Sequence, residues 1–97
     1  MRIIARSTFR EFYEANADAK SALEAWFYEV KDARWAGPQD IKQRYPSADI
    51  LPDNRVVFNI KVNNFRLIVK IHYNTGIVYI RFVGTHAEYD KIDATTI

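Results

Sequence analysis

No cysteine occurs among these 97 residues, which excludes a disulfide framework and thiolate zinc ligation and suits a reducing cytosol. No apolar run approaches the ~18 residues of a membrane span, and Met1-Arg2-Ile3-Ile4-Ala5-Arg6 is too short and too charged for a secretory leader. Repeats, low-complexity stretches and linkers are also missing. A soluble, cytoplasmic, single domain over 1–97 is the expectation, because this length supplies one core and folds without staples. The most informative absence is one sign of charge. Between Asp53 and Glu88 there is no acidic residue, yet Arg55, Lys61, Arg66, Lys70, His72, Arg81 and His86 all lie there. The net charge is only +2, but the first fifty residues carry eight basic and eight acidic side chains, and the remainder six and four. A sheet with one sign of charge is a surface prepared for an anion, and phosphate is the first to consider.

What is present is a change of period. Arg2 to Ala5 is a short apolar run suited to a strand, and Ser7 can cap a helix bearing Phe9, Phe12 and Tyr13. Asp18 can cap a second helix, with Leu23, Trp26, Phe27 and Val30 at i, i+3, i+4, i+7. Gly37-Pro38 breaks it, a third helix runs from Gln39 to Tyr45, and Pro46 stops that one, leaving 47–54 as a connection. From Arg55 the period is two. Val56, Phe58 and Ile60 alternate with Arg55, Val57, Asn59 and Lys61; Phe65, Leu67, Val69 and Ile71 alternate with Arg66, Ile68, Lys70 and His72. A two-residue turn at Asn63-Asn64 or Val62-Asn63 gives these strands the same shared apolar face, and the former puts Lys61 opposite Arg66. After the Asn74-Thr75-Gly76 turn, Ile77 to Val83 is apolar on both parities apart from Tyr79 and Arg81, as a central strand is. His86 to Ile92 forms a short terminal helix or turn.

The pattern puts Arg66, Lys70 and His72 on the face away from the helices. Like charges opposed across strands cost stability, so a cluster with no carboxylate beside it is either solvated or holds phosphates, which guanidinium forks do well. Beyond the last strand, His86 and Tyr89 stand three apart and share one side of a helix. Their structural alternatives are plain: His86 as a cap or hinge residue, Tyr89 as a ring anchoring the last helix. Asp90 supports the site by orienting His86 or pairing with Arg81. His72 is a strand-end surface residue. Trp26, Phe27 and Trp35 belong mostly to the core, with any exposed remainder forming a groove for a partner segment.

Four segments in order carry a family resemblance: Val57-Phe58-Asn59-Ile60-Lys61, Asn64-Phe65-Arg66-Leu67-Ile68-Val69-Lys70-Ile71, Tyr79-Ile80-Arg81-Phe82-Val83-Gly84 and Thr85-His86-Ala87-Glu88-Tyr89-Asp90. Together they resemble HigB-type toxins within the RelE-like messenger-RNA endonucleases. The resemblance implies a RelE-like α+β fold, with an antiparallel sheet of three to four strands packed on N-terminal helices and a short C-terminal helix. It implies a metal-independent, ribosome-dependent endoribonuclease that needs no cofactor and arrests translation and growth. The implied partners are messenger RNA on the ribosome and a HigA-type antitoxin with a helix-turn-helix domain, through which alone operator DNA is reached; no membrane is involved. Carried over by position, Arg66, Lys70, Arg81, His86 and Tyr89 are the catalytic candidates, and Arg55, Lys61 and Lys91 the RNA contacts. Elementary chemistry agrees: cutting RNA without a metal needs a base for the 2′-OH proton, cations for the phosphate oxygens, and an acid or cation for the leaving oxygen. The family often has glycine where this chain has Val62, and a β-branched residue resists the positive φ glycine allows, so the hairpin is expected to turn one residue later. The alternative function is a noncatalytic module of the same fold that binds RNA, ribosome or antitoxin.

Overall fold

The period-two stretches become the two central antiparallel strands of a computed structural model that describes residues 1–62 and 64–97. In chain order the elements are β1 (Arg2–Ile4), α1 (Ser7–Ala15), a 3₁₀ turn (Ala17–Ala19), α2 (Lys20–Asp32), α3 (Pro38–Arg44), β2 (Asp49–Leu51), β3 (Arg55–Ile60), β4 (Phe65–His72), β5 (Ile77–Thr85) and α4 (His86–Tyr89). The sheet order is β1-β5-β4-β3-β2. β1 runs parallel to β5 and every other pair is antiparallel. Among the described residues the fold is α+β as expected, but with five strands instead of three or four. The extra strand, β2, lies inside the segment read as a connection; three residues are too few to show a period. β5 is an interior strand, flanked by β4 and β1.

Parity held, and the register is the one expected of the Val62-Asn63 turn, not of the Asn63-Asn64 turn: Asn59 pairs with Arg66 and Ile60 with Phe65, so Lys61 does not face Arg66. Lys61 at φ 53° and Val62 at φ 60° both take the left-handed conformation. The chain therefore turns through Val62 itself instead of one residue later; Asn63, on which both expected turns relied, lies outside the described residues. The expected N-caps shift too: Arg6 and Ala19 occupy those positions without side-chain caps. Asp18 instead meets Lys61 Nζ at 3.2 Å.

The helices cover one face of the sheet. Leu23, Trp26 and Val30 of α2 are buried against it, and Phe58 is the hub, with ring centres of Tyr45, Trp26 and Trp35 at 5.1, 5.4 and 6.1 Å. Both indoles are buried, so the exposed aromatic remainder on α2 is Tyr28, beside Phe27 under the Arg6 guanidinium. On the other face Val57, Ile68 and Ala94 are buried with Leu51, Phe82, Tyr89, Ile92 and Ile97 packed around them. The chain after α4 thus lies across the middle of the basic face, turned by Asp93, whose Oδ1 accepts from the Thr95 amide at 3.0 Å and hydroxyl at 2.6 Å. Burying Val57 and Ile68 contributes about 1.5–3 kcal/mol each. Among the described residues no helix is long and apolar enough to cross a membrane.

Candidate active site

The site is built where β5 passes into α4. Between Val69↔Ile80 and Ile68↔Phe82 the register slips, so Arg81 is the extra, unpaired residue of a bulge. It is exposed, and takes no ion pair among the described residues. Gly84 pairs with Arg66 of β4 and Thr85 with Phe65. α4 then starts on a capping box: Thr85 Oγ1 accepts from the Glu88 amide at 3.2 Å, and the Thr85 amide donates to Glu88 Oε1 at 2.9 Å. His86, the first residue inside the box, donates its amide to the Asn64 carbonyl at 3.2 Å, which ties it to the start of β4. Its ring Nδ1 lies 3.1 Å from Asp90 Oδ2. The Tyr89 ring joins the small apolar cluster, with the Arg66 guanidinium carbon 5.7 Å from its centre. Arg66, His86, Tyr89 and Asp90 are therefore gathered at one end of the sheet.

The other cations go elsewhere. Lys70 is four residues along β4 from Arg66, roughly 13 Å at strand rise. There it shares Asp53 with Arg55: Oδ2 is 3.2 Å from Lys70 Nζ and 2.8 Å from an Arg55 nitrogen. Arg55 is buried at 8% exposure, and its Nε also donates to the Ile97 main-chain oxygen at 3.0 Å. Lys61 leans toward Asp18, Lys91 is exposed just past α4, and exposed His72 sits edge-on to Tyr79 with ring centres 5.2 Å apart. The expectation of a patch without carboxylates is thereby corrected. An absence of acids along the chain is not an absence in space: Asp53 precedes β3 by two residues, and pairing of Arg55 with Lys70 brings both cations to it. The Lys70 hydrogen bond first, and the Arg55 bond next, hold the Asp53 carboxyl below its ordinary 3.8.

A family profile described as the RelE-like toxic component of a toxin-antitoxin system, HigB toxin, matches residues 19–92. This chain belongs to the HigB toxin family. It is similar to the mRNA interferase toxin HigB of Escherichia coli strain K12 and the mRNA interferase HigB of Shigella flexneri, each 28% identical over 96 residues, 97% of this chain and 92% of the relative. The mRNA interferase HigB of Escherichia coli O6:H1 is 24% identical over 94 residues, 95% of this chain and 91% of that one. The HigB profile takes in every candidate residue from Arg55 to Lys91.

In this HigB-family fold the His86–Asp90 pair decides what the imidazole can do. An ionised carboxylate only accepts, so in the neutral ring Nδ1 carries the hydrogen and Nε2 is left as a free acceptor. An imidazole, a guanidinium and a phenol at one end of the sheet are the kinds of group that metal-free phosphodiester cleavage requires. Three residues of this region were missed in the sequence. The capping box was readable in Thr85-x-x-Glu88, whereas Gly84 shows its purpose only in space: a Cβ there would lie 2.5 Å from the Phe82 ring.

Proposed function

We propose that this HigB-family toxin is an endoribonuclease that cuts messenger RNA on the ribosome without a metal ion, and that the reacting phosphodiester sits at the Arg66, His86 and Tyr89 end of the sheet. The observation that carries the reading is that α4, which holds the His86–Asp90 pair, starts against the Arg66 end of β4, where the Arg66 guanidinium faces the Tyr89 ring. In the mechanism His86 Nε2 takes the proton from the 2′-OH, and the 2′ oxygen attacks the adjacent phosphorus. The bond from phosphorus to the 5′ oxygen breaks, leaving a 2′,3′-cyclic phosphate and a 5′-OH. Arg66 and Arg81 neutralise the charge on the non-bridging oxygens, and the Tyr89 hydroxyl protonates the leaving oxygen. The names of the relatives, mRNA interferases, support this chemistry.

Lys70 and Arg55, held by Asp53, serve the RNA strand away from the cut, and Lys61 and Lys91 flank its path. A toxin of a toxin-antitoxin system has an antitoxin; we take it to be of HigA type, reaching operator DNA through its own helix-turn-helix domain, with the whole exchange in the cytoplasm. The second reading, a noncatalytic binding module, draws on the groove between α1 and α2, where Arg6, Arg10 and Lys20 face a single acid, Glu24. Expression without antitoxin separates them. Wild type should arrest growth and produce new transcript 5′ ends, and His86→Ala and Arg81→Ala, each folded, should lose both. Arrest and cleavage unchanged in both variants would remove these residues from the mechanism.

A further inference from the structure

The shortest α-helix among the described residues, α4, carries the proposed proton-transfer group. A four-residue helix has no stability of its own in water, so whatever fixes its start fixes where His86 points. Three hydrogen bonds bracket that start. Two are the reciprocal Thr85–Glu88 pair at 3.2 and 2.9 Å, and the third runs from the His86 amide to Asn64 at 3.2 Å. At the far end of the turn the Asp90 amide donates to the His86 carbonyl at 3.0 Å. That bond places the Asp90 carboxylate against Nδ1. Gly84 completes the device, since a Cβ on it would meet the Phe82 ring at 2.5 Å and Glu88 Cβ at 3.2 Å, so that the ring must shift and the first turn of α4 must give by a few tenths of an ångström.

We infer that Gly84, Thr85 and Glu88 are positioning residues: they seat α4 on Phe82 and the start of β4 so that Asp90 holds the His86 imidazole as the Nδ1–H tautomer, with Nε2 free. The tautomer is fixed by the turn geometry, not by Asp90 alone. The inference rests on the reading of His86 as the proton-transfer group, but its direct readout needs no cleavage.

The test uses the full chain, four substitutions at Thr85 and Glu88, and His86→Ala as a fifth. Thr85→Val keeps the shape and removes the acceptor oxygen, while Thr85→Ser restores it. Glu88→Ala removes the returning carboxylate, while Glu88→Gln keeps an amide oxygen in its place. The imidazole tautomer is read at pH 8 by long-range ¹H–¹⁵N correlation, with His86→Ala assigning the signals against His72. Wild type, Thr85→Ser and Glu88→Gln should show the Nδ1–H form; Thr85→Val and Glu88→Ala should show a mixture of tautomers. In single-turnover cleavage of ribosome-bound message, Thr85→Val and Glu88→Ala should be slower by about fivefold, the population shift that follows loss of an N-cap. Half-saturating concentration should stay within twofold, and the Ser and Gln variants should recover the rate. A wild-type tautomer and rate in Thr85→Val would overturn the inference, as would a slow Thr85→Ser variant. If His86→Ala cleaves normally while Thr85→Val still mixes the tautomers, the positioning stands and the proton-transfer role falls. If the tautomer is unmoved while His86→Ala is dead, the nuclease reading stands and the positioning falls.

Discussion

Among the described residues Val62 is the β-branched side chain held at positive φ. It holds φ 60° with a side chain 93% exposed, so its two methyl groups contribute nothing to the core while the branched Cβ crowds the carbonyl. The left-handed region costs an L-residue about 1–2 kcal/mol, and a β-branched side chain stands at the upper part of that range. Glycine removes this strain. Its larger freedom in the unfolded chain takes back about 0.4–1 kcal/mol, leaving a net gain of about 0.5–1 kcal/mol for Val62→Gly. In a domain of this size that raises Tm by roughly 3–6 °C. Thermal melting followed by circular dichroism, with urea titration at 25 °C, measures it, and Val62→Ala is the control because it keeps a Cβ. Val62→Gly should melt highest of the three. Should Val62→Gly melt at or below Val62→Ala, the strain assigned to this hairpin is wrong.

Two further outcomes concern pH. Asp53 titrates below its ordinary 3.8 because Lys70 and Arg55 hold its charged form, so its stabilising effect is complete above about pH 4 and is lost as pH falls through the depressed value. Asp53→Asn should therefore lower Tm at pH 7, with the gap to wild type closing toward pH 3 in a melting series. The Tyr45 phenol is raised well above 10.0, first by burial and then by its 2.5 Å hydrogen bond to Glu29. Its contribution is full below pH 10 and is lost as pH rises beyond that, since only the unfolded chain ionises readily there. Tyr45→Phe should cost about 1 kcal/mol near neutrality and show a shallower alkaline limb above pH 10 in the same assay.

Periodicity made the centre of this molecule legible. Val56, Phe58 and Ile60 against Phe65, Leu67, Val69 and Ile71 dictated one apolar face whatever the turn, because a shift of two in register preserves which way each side chain points. The helix over Lys20–Asp32 and the Pro38–Pro46 bracket were equally plain. Short and long-range features were not. β2 has three residues, and Ile92, Ala94 and Ile97 follow no period, so nothing local announced that they cover Val57 and Ile68. For the same reason the basic face read as open and free of carboxylates, although Asp53 and the residues after α4 divide it. The motif Thr85-His86-Ala87-Glu88-Tyr89-Asp90 points to its imidazole and phenol; its capping box, equally visible, is what starts α4 at the Arg66 end of the sheet.

The central claim is that the scissile phosphodiester sits at the α4 end of the sheet and not at the Asp53 end. Single-turnover cleavage of ribosome-bound message by Arg66→Ala and Lys70→Ala variants measures this directly. Arg66→Ala should lose on the order of a hundredfold, as removal of a transition-state charge partner does, while Lys70→Ala loses no more than about fivefold. A loss in Lys70→Ala equal to or larger than that in Arg66→Ala would place the reaction beside Asp53 and contradict the account.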